Sequence, residues 1–157
     1  MEFFDTNILV YAVDGSDRQR RPAALELIRH AMQSQSFVIS TQVMLEFYAV
    51  ALRRKLMDPA MATELLREWA TAGAMSTTPE SLWHAFELQQ RLGLSIWDAM
   101  IVQAAIDAHC DILYSEDLQH GQKIGPMRVV NPFRPQGVHE PAAEYAVASA
   151  GAEPSSA

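Results

Sequence analysis

Short apolar runs alternating with helical stretches constrain this chain more than any other feature of its sequence. Phe3-Phe4, Phe37 to Ser40, Ala74 to Thr77, Asp111 to Ser115 and Met127 to Val130 are too short for helices and read as strands. Between the first four lie segments with apolar residues at helical spacing, such as Ala24, Leu25, Leu27, Ile28, Ala31 and Met32. Strands joined through helices need crossover connections, which make a mostly parallel sheet covered on both faces. The expected fold is therefore α/β: a three-layer α/β/α domain over residues 1–133, with four to five short strands. From 134 to 157 the chain is Pro, Ala, Glu, Gly and Ser without an apolar period, and a disordered tail is expected there.

Helix starts and stops are legible from individual residues. Asn7 to Val13 follows the first strand as a short helix, and Asp14-Gly15-Ser16-Asp17 is a turn-rich break after it. Ser40 or Thr41 caps a helix running to about Lys55. Asp58-Pro59 opens another, which runs to Ala72 ahead of Gly73. Thr78-Pro79-Glu80 starts a helix closed by Gly93, and Ser95 to Asp98 opens one that ends at His109.

Composition narrows the class. A chain of 157 residues fits one domain with a proper core. No apolar run approaches the roughly 20 residues needed to cross a bilayer, and neither a leader nor a membrane association is expected. Cys110 is the single cysteine, which excludes an intramolecular disulfide and a cysteine-rich zinc site, and makes a reducing cytoplasm the simplest home. The formal net charge is −7, the wrong sign for a protein that binds nucleic acid through a broad basic surface. Nucleic-acid binding is compatible with that charge only where metal neutralises some of the acids.

Four acids fall at comparable places: Asp5 after the first strand, Glu46 one turn into the helix after the second, Asp98 at a helix start, and Asp117 after the fourth strand. Each has a plain structural reading. Asp5 is a good N-cap, Glu46 fits one polar face of its helix, Asp98 stands at capping-box spacing from Ser95, and Asp117 sits in a turn. In a parallel sheet, however, strand ends and the helix starts that follow gather on one edge. Carboxylates brought together there repel unless a cation intervenes, and oxygen-only ligation suits Mg²⁺ or Mn²⁺. Such a site offers an activated water for attack on phosphorus.

Asp5-Thr6-Asn7, Glu46 in the third helix, Trp97-Asp98-Ala99-Met100-Ile101 and Ser115-Glu116-Asp117-Leu118-Gln119-His120-Gly121, in this order, resemble the PIN-domain family, and within it the VapC-type toxins of toxin–antitoxin pairs. The resemblance spans about Met1 to Phe133, ending at Val129-Val130-Asn131-Pro132-Phe133. It implies a Mg²⁺- or Mn²⁺-dependent endoribonuclease, cytoplasmic and usually homodimeric, held inactive by a cognate antitoxin. It also implies that Asp5, Glu46 and Asp98 bind the metal directly and that Asp117 completes the site. Thr6, Asn7 and Ser115 would orient the carboxylates or water around them. Glu116 stands as an extra acid beside Asp117, the choice between them resting on the spacing from Ser115.

Arg18, Arg20 and Arg21 form a basic cluster that reads either as a solvated helix face or as a set of RNA phosphate contacts. Trp69, Trp83 and Trp97 fall in helical patterns and read as core or dimer packing, with Trp97 set apart by its place beside Asp98. Two rivals remain. A phosphotransfer enzyme on a similar fold lacks its expected residues, since Asn7 stands where a second aspartate is needed. A catalytically degenerate PIN-like scaffold that binds RNA or a protein partner is the alternative function. No Gly-x-Ser-x-Gly elbow, P-loop or Gly-x-Gly-x-x-Gly occurs.

Overall fold

The computed structural model describes residues 1–134 and a two-residue strand at Glu144–Tyr145. The rest of the expected tail lies outside the described residues. In chain order the elements are β1 (Glu2–Phe4), α1 (Thr6–Val13), α2 (Arg21–Gln33), β2 (Phe37–Ser40), α3 (Thr41–Arg53), α4 (Pro59–Ala72) and β3 (Ala74–Met75). Then follow α5 (Pro79–Leu92), α6 (Ile96–Asp107), β4 (Ile112–Tyr114), β5 (Lys123–Ile124), β6 (Met127–Val130) and β7 (Glu144–Tyr145).

The strands lie in the order β3-β2-β1-β4-β6-β5-β7, and every pairing is parallel except β5 with β6. Phe37 to Ser40 is buried at every position, so both faces of β2 are covered, as a three-layer α/β/α domain requires. Aromatic rings fill one of these interfaces. Phe4 packs against Phe37 at 4.9 Å and against Tyr114 at 5.1 Å between centroids, and Trp69 from α4 meets Phe47 edge-on at 5.0 Å.

All five anticipated strands are present, but the sheet has seven rather than four to five. Lys123–Ile124 and Glu144–Tyr145 are two residues each, below the length at which alternation or an apolar run can register. What makes β5 a strand is a two-residue loop back into β6. Gly125 occupies its first central position at φ 59, a conformation that favours glycine.

The topology sets the functional edge. From β1 the chain moves out to β2 and β3, then returns to the other side of β1 with β4. The switch point therefore lies between β1 and β4, whose register pairs Phe4 with Tyr114. The residues that leave the sheet there, side by side, are Asp5 and Ser115.

Candidate active site

Asp5 leaves β1 in extended conformation and caps α1, its Oδ1 accepting from the Thr6 backbone N–H at 2.6 Å. Its Oδ2 accepts from Ser115 Oγ at 2.6 Å and from Asn7 Nδ2 at 3.3 Å. The same Asn7 amide donates to Asp117 Oδ2 at 3.0 Å, and the Asp117 backbone N–H donates to Ser115 Oγ at 3.2 Å. Two groups, Asn7 and Ser115, thus tie the end of β1 to the turn after β4. Asp5 is buried, and that burial pushes its carboxyl up to about 6; the bonds from Ser115 and Thr6 oppose the rise, while Asp117 and Glu46 add to it.

Glu46 enters from α3. Its Oε2 accepts from Thr6 Oγ1 at 2.8 Å, and its Oε1 from Gln42 Nε2 at 2.7 Å, one helical turn earlier. Gln42 Nε2 also donates to the Trp97 carbonyl at 3.3 Å, joining α3 to the start of α6. Asp98 forms the expected cap pair there: Ser95 Oγ donates to its Oδ2 at 2.7 Å, and its own N–H donates to Ser95 Oγ at 3.0 Å.

Asp5, Glu46, Asp98 and Asp117, delivered by four separate segments, line one cleft of about 300 Å³ with Thr6, Asn7, Tyr11, Gln42 and Trp97. Val10, Val50 and Ile101 supply its apolar surface, and among the described residues Arg54 is the one basic side chain lining it. The plain readings stand beside this, since Asp5 caps α1 and Asp98 steadies the Ser95 hydroxyl that caps α6. One carboxylate serves both purposes because the helix starts lie on the edge where the cleft opens.

Glu116 points elsewhere. Tyr11 Oη donates to its Oε2, and Arg20 pairs with its Oε1 at 3.1 Å while also holding Asp17 at 2.9 Å. Arg20 lies 4.8 Å over the Tyr11 ring. Arg18 and Arg21 are exposed, Arg21 Nε donating to the Ala12 carbonyl at 3.3 Å, and none of the three arginines lines the cleft. His120 Nδ1 accepts from the Asn131 backbone N–H at 3.1 Å, which fixes it in its turn.

Sequence reasoning did not single out Gln42, Tyr11 or Arg54. A signal existed for two of them: Gln42, Glu46, Val50 and Arg54 recur every fourth residue of α3 and share one face. Arg54, at the C-cap of α3, also has a plain structural reading, a positive charge that suits the C-terminal end of the helix dipole. Tyr11 stands one turn after Asn7, but nothing local distinguishes it.

The donor set is all oxygen, which fits a hard divalent cation. Among the described residues no three carboxylates, imidazoles or thiols stand close enough to form a ready ligand cluster. Thr6, Gln42 and Ser95 hold Glu46 and Asp98 by hydrogen bonds, so closing the set on an ion requires these two side chains to turn. The residues fit the group in chemistry and placement, with that adjustment.

The sequence-family model of the PIN domain matches residues 3–123, most of the chain. The chain belongs to the PIN-domain family. Its fold is also that of solved PIN proteins. The Sarcin-Ricin loop cleaving toxin VapC20 of Mycobacterium tuberculosis is 19% identical, with a TM-score of 0.60 over 74% of this chain and 92% of that one. A toxin–antitoxin complex from Klebsiella pneumoniae has a chain 20% identical, with a TM-score of 0.62 over 84% and 98%. VapBC2 of Rickettsia felis, solved bound to a DNA fragment from its promoter, is 17% identical, with a TM-score of 0.58 over 82% and 96%. No curated protein matches the sequence. Among the described residues of this PIN domain, no helix is long and apolar enough to cross a membrane.

Proposed function

We propose that this PIN domain is a Mg²⁺- or Mn²⁺-dependent endoribonuclease, the cytoplasmic toxin of a toxin–antitoxin pair. The observation that carries the reading is the convergence of Asp5, Glu46, Asp98 and Asp117 on one cleft at the switch point of a PIN fold. Asp5, Glu46 and Asp98 would hold the ion. When bound, it supplies a Lewis acid and an activated water for in-line attack on phosphorus. Asp117, steadied by Asn7, would face such a water, while Ser115 and Thr6 fix the directions of Asp5 and Glu46. The 2′-hydroxyl would then not be needed as the nucleophile.

A cognate antitoxin and a homodimer belong to the same proposal. Support for the antitoxin comes from the Klebsiella and Rickettsia neighbours, both solved as complexes. The degenerate-scaffold alternative draws on one observation, the lack of a preassembled ligand cluster among the described residues. Mn²⁺ titration separates the two. The nuclease should bind Mn²⁺ through Asp5, so Asp5→Asn should lose both that binding and RNA cleavage while remaining folded. Wild type that binds no Mn²⁺ would favour the scaffold.

A further inference from the structure

The acid-lined cleft leaves unexplained how a chain of net charge −7 holds a polyanion beyond the metal itself. Its wall on α3 is the stripe Gln42, Glu46, Val50 and Arg54. Eight residues separate Glu46 from Arg54, about 12 Å along the helix axis. Arg54 therefore stands at the far end of the cleft from the acids, too distant to serve the same phosphate.

How Arg54 is held is informative. Its Nη2 pairs with Asp14 Oδ2 at 2.5 Å, across from the end of α3 to the end of α1. The Asp14 side chain is 3% exposed and that of Arg54 is 43% exposed, so the pair presents its cation outward and hides its anion. Asp14 is itself fixed by Ser16, whose backbone N–H and Oγ donate to Oδ1 at 3.0 and 2.5 Å, and these bonds draw its carboxyl below the usual range. The remaining guanidinium N–H groups of Arg54 make no other hydrogen bond among the described residues. A planar fork, aimed by a buried carboxylate and left with open donors at a cleft wall, is suited to an oxyanion such as phosphate.

We propose that Arg54 binds an RNA phosphate flanking the scissile one, with Asp14 holding its guanidinium in place. The inference rests on the nuclease reading and adds to it a contact that sets the direction of the strand. RNA entering the cleft then spans from the acids at the sheet edge to the ends of α1 and α3.

The test is equilibrium binding of a labelled, mixed-sequence single-stranded RNA oligonucleotide over a range of salt concentrations. It is run at fixed low Mg²⁺ on an Asp98→Asn parent so that cleavage does not intervene. Adding Arg54→Gln should weaken binding about tenfold at low salt. The slope of log Kd against log salt should also become shallower by about 0.7, the loss of one phosphate contact on a single strand. Arg54→Lys, which keeps the charge, should keep the slope. Because Arg54→Gln strands Asp14, the Asp14→Asn/Arg54→Gln pair is measured beside it and should lose the same slope. An unchanged slope in both overturns the proposal and leaves Arg54 as the ion-pair tie between the ends of α3 and α1. Wild type that neither binds Mn²⁺ nor cleaves RNA overturns the nuclease reading itself, and this inference with it.

Discussion

Asp5 has both oxygens engaged, Oδ1 by the Thr6 backbone N–H and Oδ2 by Ser115 and Asn7, and its carboxyl is nevertheless pushed up to about 6. Burial outweighs the three hydrogen bonds. In the unfolded chain the same carboxyl titrates at about 3.9. Between those values the native state binds the extra proton, so the contribution of Asp5 to stability falls as pH rises through this window and is level above it. In metal-free protein, wild type should lose about 2 kcal/mol relative to Asp5→Asn between pH 4 and pH 7. Mg²⁺ should suppress the loss by stabilising the ionised form. Denaturant melts of both proteins across that range check it, and a pH-independent difference would show that burial is not what governs Asp5. Trp97 is the other residue whose role its neighbours do not exhaust. It is 64% exposed at the cleft, and among the described residues its indole makes no hydrogen bond, Gln42 reaching its carbonyl instead. As a stacking platform it should be worth about 1–3 kcal/mol to single-stranded RNA, and Trp97→Ala should lose that much affinity with no change in melting temperature. Unaltered affinity would make it a surface residue only.

At the scale of elements, the helix starts were the most legible part of the chain. Ser40, Asp58, Thr78 and Ser95 accept from Val43, Met61, Ser81 and Asp98, each with its side chain, because capping is a contact between residues three apart. The start of α2 was less so: Arg20 occupies its cap position without a side-chain capping bond, and Asp17 turns the chain there by accepting from the Arg20 N–H at 2.8 Å. β5 and β7 were invisible because pairing partners, not their own residues, make them strands. The choice of Asp117 over Glu116 rests on its spacing from Ser115, and what turns Glu116 away is not legible locally. It depends on Tyr11 and Arg20, which reach Glu116 from about a hundred residues away. Gly73 shows the same limit. The sequence marks it as a helix stop, and the structure adds that a Cβ there would lie 2.3 Å from the Phe37 carbonyl oxygen. Because backbone cannot yield as a side-chain tip does, Gly73→Ala should cost about 1–3 kcal/mol. A variant as stable as wild type would mean that β2 and β3 separate at little cost.

For the molecule as a whole, alternation of apolar runs and helical stretches was enough to anticipate a parallel three-layer fold, and the fold in turn gathers its strand ends on one edge. The four acids were legible as candidates for that reason, although each also has an ordinary structural job. What the sequence could not supply was the shape of the space between them: the cleft wall on α3, the Gln42 link to α6, and the Asp14–Arg54 pair that closes its far end. These depend on how α1 and α3 pack, which no local pattern encodes. Under the proposed function, this cleft cuts RNA with a divalent metal and its own carboxylates. Cleavage of total cellular RNA by wild type and Asp98→Asn with Mg²⁺ or Mn²⁺, each with and without a chelator, tests that outright. Wild type alone should give discrete fragments, abolished by the chelator. Fragments that persist in Asp98→Asn or in the chelator would contradict it.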